Sequence, residues 1–134
     1  MNNSLKNNNG TALFMALLIL TGMLVVVLAA SDIITRGIKM SRTQARSTKA
    51  YFAAEAGAER ILWEVRKNNF DDSFCSDNDY INFDTNPATC DSSIRIYFLS
   101  NNASYSVVYS SGPSVTFTSN GIYLSNRRSV ELSY

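Results

Sequence analysis

The residues with the most chemical potential crowd into one stretch. Positions 69–93 hold Cys75, Cys90 and the aspartates Asp71, Asp72, Asp77, Asp79, Asp84 and Asp91, with no lysine or arginine among them. The cysteine spacing fits neither a CxxC redox pair nor a four-ligand zinc site. In an oxidising compartment the two would close a loop of about 15 residues, worth roughly 3 kcal/mol in the chain-entropy view. In a reducing one they would be two separate buried thiols. The aspartates are the oxygen ligands that calcium favours. However, DNDYINFD lacks the glycine and the closing glutamate of an EF-hand loop. A solvated acidic loop is the favoured reading, and no metal is expected.

Histidine is absent from all 134 residues. That removes the commonest general base, the commonest metal ligand and both the Ser-His-Asp and Cys-His arrangements. No nucleophile with a base and no phosphate-cradling glycine loop is visible. The chain is read as a non-enzyme without cofactors. Arg127 and Arg128 are adjacent near a turn, which is too little to predict nucleic-acid binding.

A second chemical possibility is proteolysis. KNNNGTALFM joins a polar, asparagine-rich leader (1–10) to an uncharged run, with Gly10 and Thr11 at the junction. A small-residue site for signal peptidase also exists at Ala29-Ala30-Ser31. Against it, the apolar run exceeds the usual h-region, and only Lys6 charges the flank before it.

The elements that would carry these residues follow from the pattern. Residues 11–30 carry no charge, and as a helix they would span about 30 Å, the thickness of a bilayer core. Residues 31–68 keep helical spacing and form an amphipathic extension, weak only at Gly37 and Gly57. Ile34, Ile38, Ala45, Phe52, Ala56 and Trp63 fall on one stripe, and Arg36, Lys39, Arg42, Arg46 and Lys49 on another. From Tyr51 onward a second apolar face appears at Ala54, Ala58, Ile61, Leu62 and Val65, so this helix needs two partners. Residues 69–93 form the acidic, irregular loop.

Residues 94–134 show alternating strand segments, IRIYFL, SYSVVYS, SVTFTS and RSVELSY, parted by NNAS and Gly112-Pro113. Asn120-Gly121 is either a tight hairpin turn or a bend within one strand. Tyr105, Tyr109, Tyr123 and Tyr134 read as core and rim aromatics. The fold class is α+β: a long N-terminal helix packed, around Trp63 and Leu62, on a small four-stranded antiparallel sheet.

Charge divides the chain. Residues 1–68 carry nine Lys/Arg against four Asp/Glu, and residues 69–134 three against seven. Such asymmetry points to different surroundings or complementary neighbours. The positive-inside rule would hold the basic side of the anchor in the cytoplasm, whereas a disulfide would place the following domain outside it.

A leader ending in Gly10, a membrane-length helix with an amphipathic extension, and a small C-terminal sheet together resemble a type IV pilin-like protein. KAYFAAEAGAER (49–60) is similar to the AxxAAEAG-type segment of minor pilins and pseudopilins, and NRRSVELSY to their last strand. The resemblance implies a structural subunit of a type IV pilus or type II secretion-like filament, cut by prepilin peptidase between Gly10 and Thr11. Such a subunit is held in the inner membrane, with its C-terminal domain exported, until assembly. Its partners would be the lipid bilayer, the peptidase and other pilin-like subunits, contacted through Ile34, Ile38, Ala45, Phe52 and Ala56. Major pilins usually begin with Phe or Met and carry Glu at the fifth mature position. Here those positions are Thr11 and Met15, which argues for a minor or initiating subunit. An uncleaved single-pass protein with an exported binding domain and a secreted domain released after the run are the alternatives.

Overall fold

The computed structural model describes residues 9–133. The leader up to position 8, the final Tyr134 and the expectations attached to them lie outside the described residues. One helix, α1 (Asn9–Lys67), precedes six strands: β1 (Tyr80–Asn82), β2 (Thr89–Asp91), β3 (Tyr97–Phe98), β4 (Ser104–Ser111), β5 (Val115–Tyr123) and β6 (Asn126–Ser133). The chain divides into two compact units, Met1–Ser41 and Arg42–Tyr134.

In the first unit every described side chain from Gly10 onward is exposed, including Leu13, Phe14, Leu17, Ile19, Leu24 and Val26. Its mean hydropathy over the best 18-residue window is 2.8, so by length and composition the helix can cross a bilayer. Two threonine hydroxyls in this stretch are satisfied within the helix. Thr21 Oγ1 donates to the carbonyls of Leu17 and Leu18 at 3.0 Å, and Thr35 Oγ1 to that of Ser31 at 2.9 Å. A surface this apolar is costly to leave in water.

In the second unit, α1 lies on an antiparallel sheet of order β2-β1-β4-β5-β6, with β3 pairing the start of β4. The sheet has six strands rather than the four expected. The two additional ones, β1 and β2, arise in the acidic segment read as irregular. Three-residue strands are too short for an alternation signal to emerge from their flanking turns. The segment 94–99 yields only Tyr97–Phe98 as strand. Asn120-Gly121 is no hairpin turn. It lies inside β5, which pairs with β4 from Ser111↔Val115 to Ser104↔Ile122.

The reason for glycine at 121 is the helix. A Cβ there would stand 2.0 Å from the Ala50 carbonyl oxygen and 2.4 Å from the Ala54 amide nitrogen. At Gly57 a Cβ would stand 2.4 Å from Ser119 Oγ and 2.6 Å from the Tyr105 ring. The two backbones therefore approach through a pair of missing side chains. Ala50, Ala53, Ala54 and Ala58 are fully or almost fully buried around them, and Ile61 continues the contact into a core of Val107, Phe117, Tyr109, Ile81 and Phe83. The sequence expectation centred this contact on Trp63 and Leu62. Instead Trp63 is half exposed and Leu62 lies at the margin. Small residues win the position because only they admit so close an approach.

The helix ends where Asn69 adopts a left-handed conformation (φ 54°) and the Glu64 carbonyl accepts the amides of both Asn68 and Phe70. The Glu64 side chain is buried, and it holds the far end of the unit together. Oε2 accepts from Asn68 Nδ2 at 2.6 Å and from the Ala88 amide at 3.3 Å, and Oε1 lies 3.6 Å from Arg60 Nε. Arg60 in turn sits over the Phe83 ring.

Replacing Gly121 by alanine should cost more stability than replacing Gly57. At 121 the obstacle is helix backbone, whereas at 57 it is a serine hydroxyl and a ring edge that can shift. Urea unfolding of the full chain in detergent should show a loss of about 3 kcal/mol or more for Gly121→Ala and about 1–2 kcal/mol for Gly57→Ala. Equal, small losses would mean that the helix does not sit this close to β5.

Candidate assembly interface

Helix geometry separates two faces of α1 in the second unit. At about 100° per residue, Ala50, Ala53, Ala54, Gly57, Ala58, Ile61 and Glu64 cluster around one direction. That direction faces the sheet, and these residues are buried. Ala45, Phe52, Ala56 and Trp63 cluster around the opposite direction. Ala45 is exposed, Ala56 half-buried, and Phe52 and Trp63 are 59% and 52% exposed. In the first unit, Ile34 and Ile38 are exposed as well. The five residues predicted for subunit contact are thus apolar groups that the chain leaves largely uncovered.

The uncovered face has relief. Glu59, Leu62, Trp63, Arg66 and Lys67 line a shallow groove of ≈ 310 Å³ near the helix end. The Tyr51 and Phe52 rings meet edge to face at 6.1 Å. Glu59 and Arg66 place one charge of each sign beside the apolar stripe. Glu55, set among alanines, is half-buried at the border between the two faces.

The acidic segment is tied together by its own side chains. Cys75 and Cys90 are joined in a disulfide, with Cα atoms 5.2 Å apart. The carboxylates near it serve backbone and side-chain donors of the protein. Asp77 Oδ1 accepts from Ser110 Oγ at 2.8 Å and from the Ser111 amide at 3.1 Å, and Asp79 Oδ2 accepts from the Ser76 amide at 2.8 Å. Asp91 accepts from the Ser93 amide and from Arg95, whose guanidinium also lies 3.8 Å from Asp84. The Ser93 amide first, and Arg95 second, hold the Asp91 carboxyl below its ordinary range. Among the described residues no three carboxylate or thiolate groups converge on one point. Burial raises the Tyr105 and Tyr109 hydroxyls above the usual phenol range, in line with their place in the core.

Gly10 and Thr11 are both in the first turns of α1 and exposed. Nothing lies within 4 Å of a Cβ placed on Gly10, so packing within the chain does not require glycine there. Sequence reasoning missed the joint role of Gly57, Ser119 and Gly121. Ser119 Oγ is buried without a hydrogen-bond partner, directly over Gly57. The available signal was the run Ala53-Ala54 with Gly57-Ala58, small residues at i, i+1, i+4 and i+5, which repeat on one helix face.

The two faces should separate in mutation. Phe52→Ser should leave the unfolding free energy within about 0.5 kcal/mol of the parent, because it removes only exposed apolar surface. Ile61→Ser, at a site with no exposure, should cost about 3 kcal/mol or more. The reverse order in chemical denaturation would contradict the assignment of faces.

Residues 9–59 match the family model described as PilX N-terminal. The match covers less than half of the 134 residues and ends within α1. It contains the predicted contact residues Ile34, Ile38, Ala45, Phe52 and Ala56 together with the small-residue face that docks on β5. No curated protein and no solved structure matches the chain.

Proposed function

Since the chain is a type IV pilin-like protein by its N-terminal segment, we propose that it is a non-enzymatic minor pilin or pseudopilin. It is held in the inner membrane by residues 11–30 and then drawn into a filament. The observation that carries this reading is the two-faced helix. One face is sealed by the protein's own sheet. The opposite one keeps Phe52 and Trp63 uncovered, and in the first unit every described side chain from Gly10 onward is uncovered.

Physically, a helix of this kind has two stable surroundings. In the bilayer, lipid covers residues 11–30. Outside it, only similar helices packed along the same length can do so, since water cannot solvate the surface without large cost. A filament of like helices meets that condition. Gly22 and Gly37, with open space around their Cβ positions, allow close helix approach there.

Prepilin peptidase would cut after Gly10 and leave Thr11 as the first residue. The open space around Gly10 supports a role for that glycine outside internal packing. Met15 in place of the fifth-position glutamate removes a charged group that would compensate a neighbour's new amino terminus. That departure favours a minor or initiating subunit over a major one. The disulfide supports export of the second unit, because such bonds persist in oxidising compartments.

The test is the intact mass and N-terminal sequence of the protein recovered from membranes of cells that carry prepilin peptidase. A chain beginning at Thr11, and lengthened when the peptidase is deleted, is expected. A chain still beginning at Met1 would leave an uncleaved anchored protein. A start near Asp32 would indicate release of a secreted domain.

A further inference from the structure

The sheet has a second face, turned away from α1. Along β4, Tyr105, Val107 and Tyr109 enter the core, so Ser104, Ser106 and Val108 lie on the far face. Along β5, Gly121 lies under the helix, which leaves Asn120 and Ile122 on the far face as well. Along β6, Arg128 Nε donates to Ser47 Oγ of α1 at 2.7 Å, so its neighbour Arg127 stands on the other side. Two adjacent arginines therefore serve opposite faces.

Strand register brings the far-face residues together. Ser106 stands opposite Asn120, and Ile122 opposite Arg127. Tyr80 of β1, with Ile94 and Ile96 from the segment before β3, completes a groove of ≈ 370 Å³. Its walls are apolar and aromatic, and both of those isoleucines are exposed. Arg127 is the one charged side chain among the residues that line it.

Two features point to a bound molecule. Ser106 is more than nine-tenths buried and lines the groove, and its hydroxyl makes no hydrogen bond to another described residue. A buried hydroxyl left without a partner is unfavourable, and a polar group entering the groove would supply one. Arg127 forms no ion pair among the described residues, and no carboxylate lines the groove. Its guanidinium is a fork of donors that matches a carboxylate brought from outside the chain.

We infer that this groove binds a small amphipathic carboxylate. The apolar body lies against Ile94, Ile96, Ile122 and the Tyr80 ring, a polar group meets Ser106 and Asn120, and the carboxylate meets Arg127. Apolar walls with a few converging polar groups, at this volume, are the make-up of a small-molecule site. A nucleic acid would need several cations along a backbone, and here there is one. The inference goes beyond the filament reading and is compatible with it. The groove and α1 lie on opposite faces of the sheet, so subunits packed through the helix would leave the groove open.

The experiment uses 4-benzoylbenzoate, a photoreactive aromatic carboxylate, and its neutral amide, each with the full chain in a neutral detergent. Labelled positions are mapped by mass spectrometry. The carboxylate is expected to label residues 94–96 or 120–122 saturably, and the amide to need about tenfold higher concentration. Arg127→Gln should abolish that preference. Asn120→Asp, nearly isosteric, sets a negative charge on the floor and should weaken labelling by the carboxylate about tenfold. Labelling by the amide, unchanged in both variants, reports that the groove is intact. Absence of labelling, label concentrated on α1, equal labelling by acid and amide, or a preference that survives Arg127→Gln would overturn the site. The filament reading is tested separately by the start of the chain at Thr11 and would stand through that failure.

Discussion

The close approach of β5 to α1 at Gly121 and Gly57 is the constraint on which the second unit depends. A strand normally meets a helix through a layer of side chains. Here that layer is reduced to alanines and two bare Cα positions, so the helix backbone rests almost on the sheet. The cost is a buried serine hydroxyl, Ser119 Oγ, with no hydrogen-bond partner. The gain is a unit in which a single helix face suffices to cover the sheet, leaving the other face free. Ile61, Phe117, Val107 and Tyr109 then fill the wider end of the wedge, and Glu64 closes it through Asn68 and the Ala88 amide.

That arrangement gives the helix two uses. Alanine and glycine serve internal docking, and the bulky Phe52 and Trp63 are turned outward. The buried aromatics Phe83, Tyr105, Tyr109 and Phe117 all come from outside the helix. The outward aromatics are understandable if that face is meant for another chain, because large aromatics are common interface anchors. The small-residue segment that resembles those of pilins therefore has a local physical role in this chain. It is the surface on which the sheet is laid.

Much of this was legible in the residues, and the failures have physical causes. The helix was visible because its apolar positions repeat over many turns. The outward stripe at Ile34, Ile38, Ala45, Phe52 and Ala56 followed from the same periodicity. The choice of face for the sheet did not, because Trp63 and Leu62 outrank alanine on any scale of hydrophobicity, while proximity of backbones is invisible to such scales. Asn120-Gly121 has the residue types of a hairpin turn, yet tertiary contact with Ala50 and Ala54 puts it inside β5. The real hairpin turn is at Leu124-Ser125, where no glycine announces it. The strands β1 and β2 escaped notice because three residues cannot display alternation, and the disulfide and Asp77 hold them by links that span many positions.

One face of α1 is closed by the chain itself, and in the proposed assembly neighbours close the opposite one. Trp63 is the chain's single tryptophan and stands on that second face. Its emission maximum and acrylamide quenching, read first in the dispersed full chain and then in fibres, distinguish the two faces. A red-shifted, readily quenched tryptophan is expected in the dispersed chain and a blue-shifted, protected one after assembly. A tryptophan already protected in the dispersed chain, or equally accessible in both states, would contradict that assignment of faces.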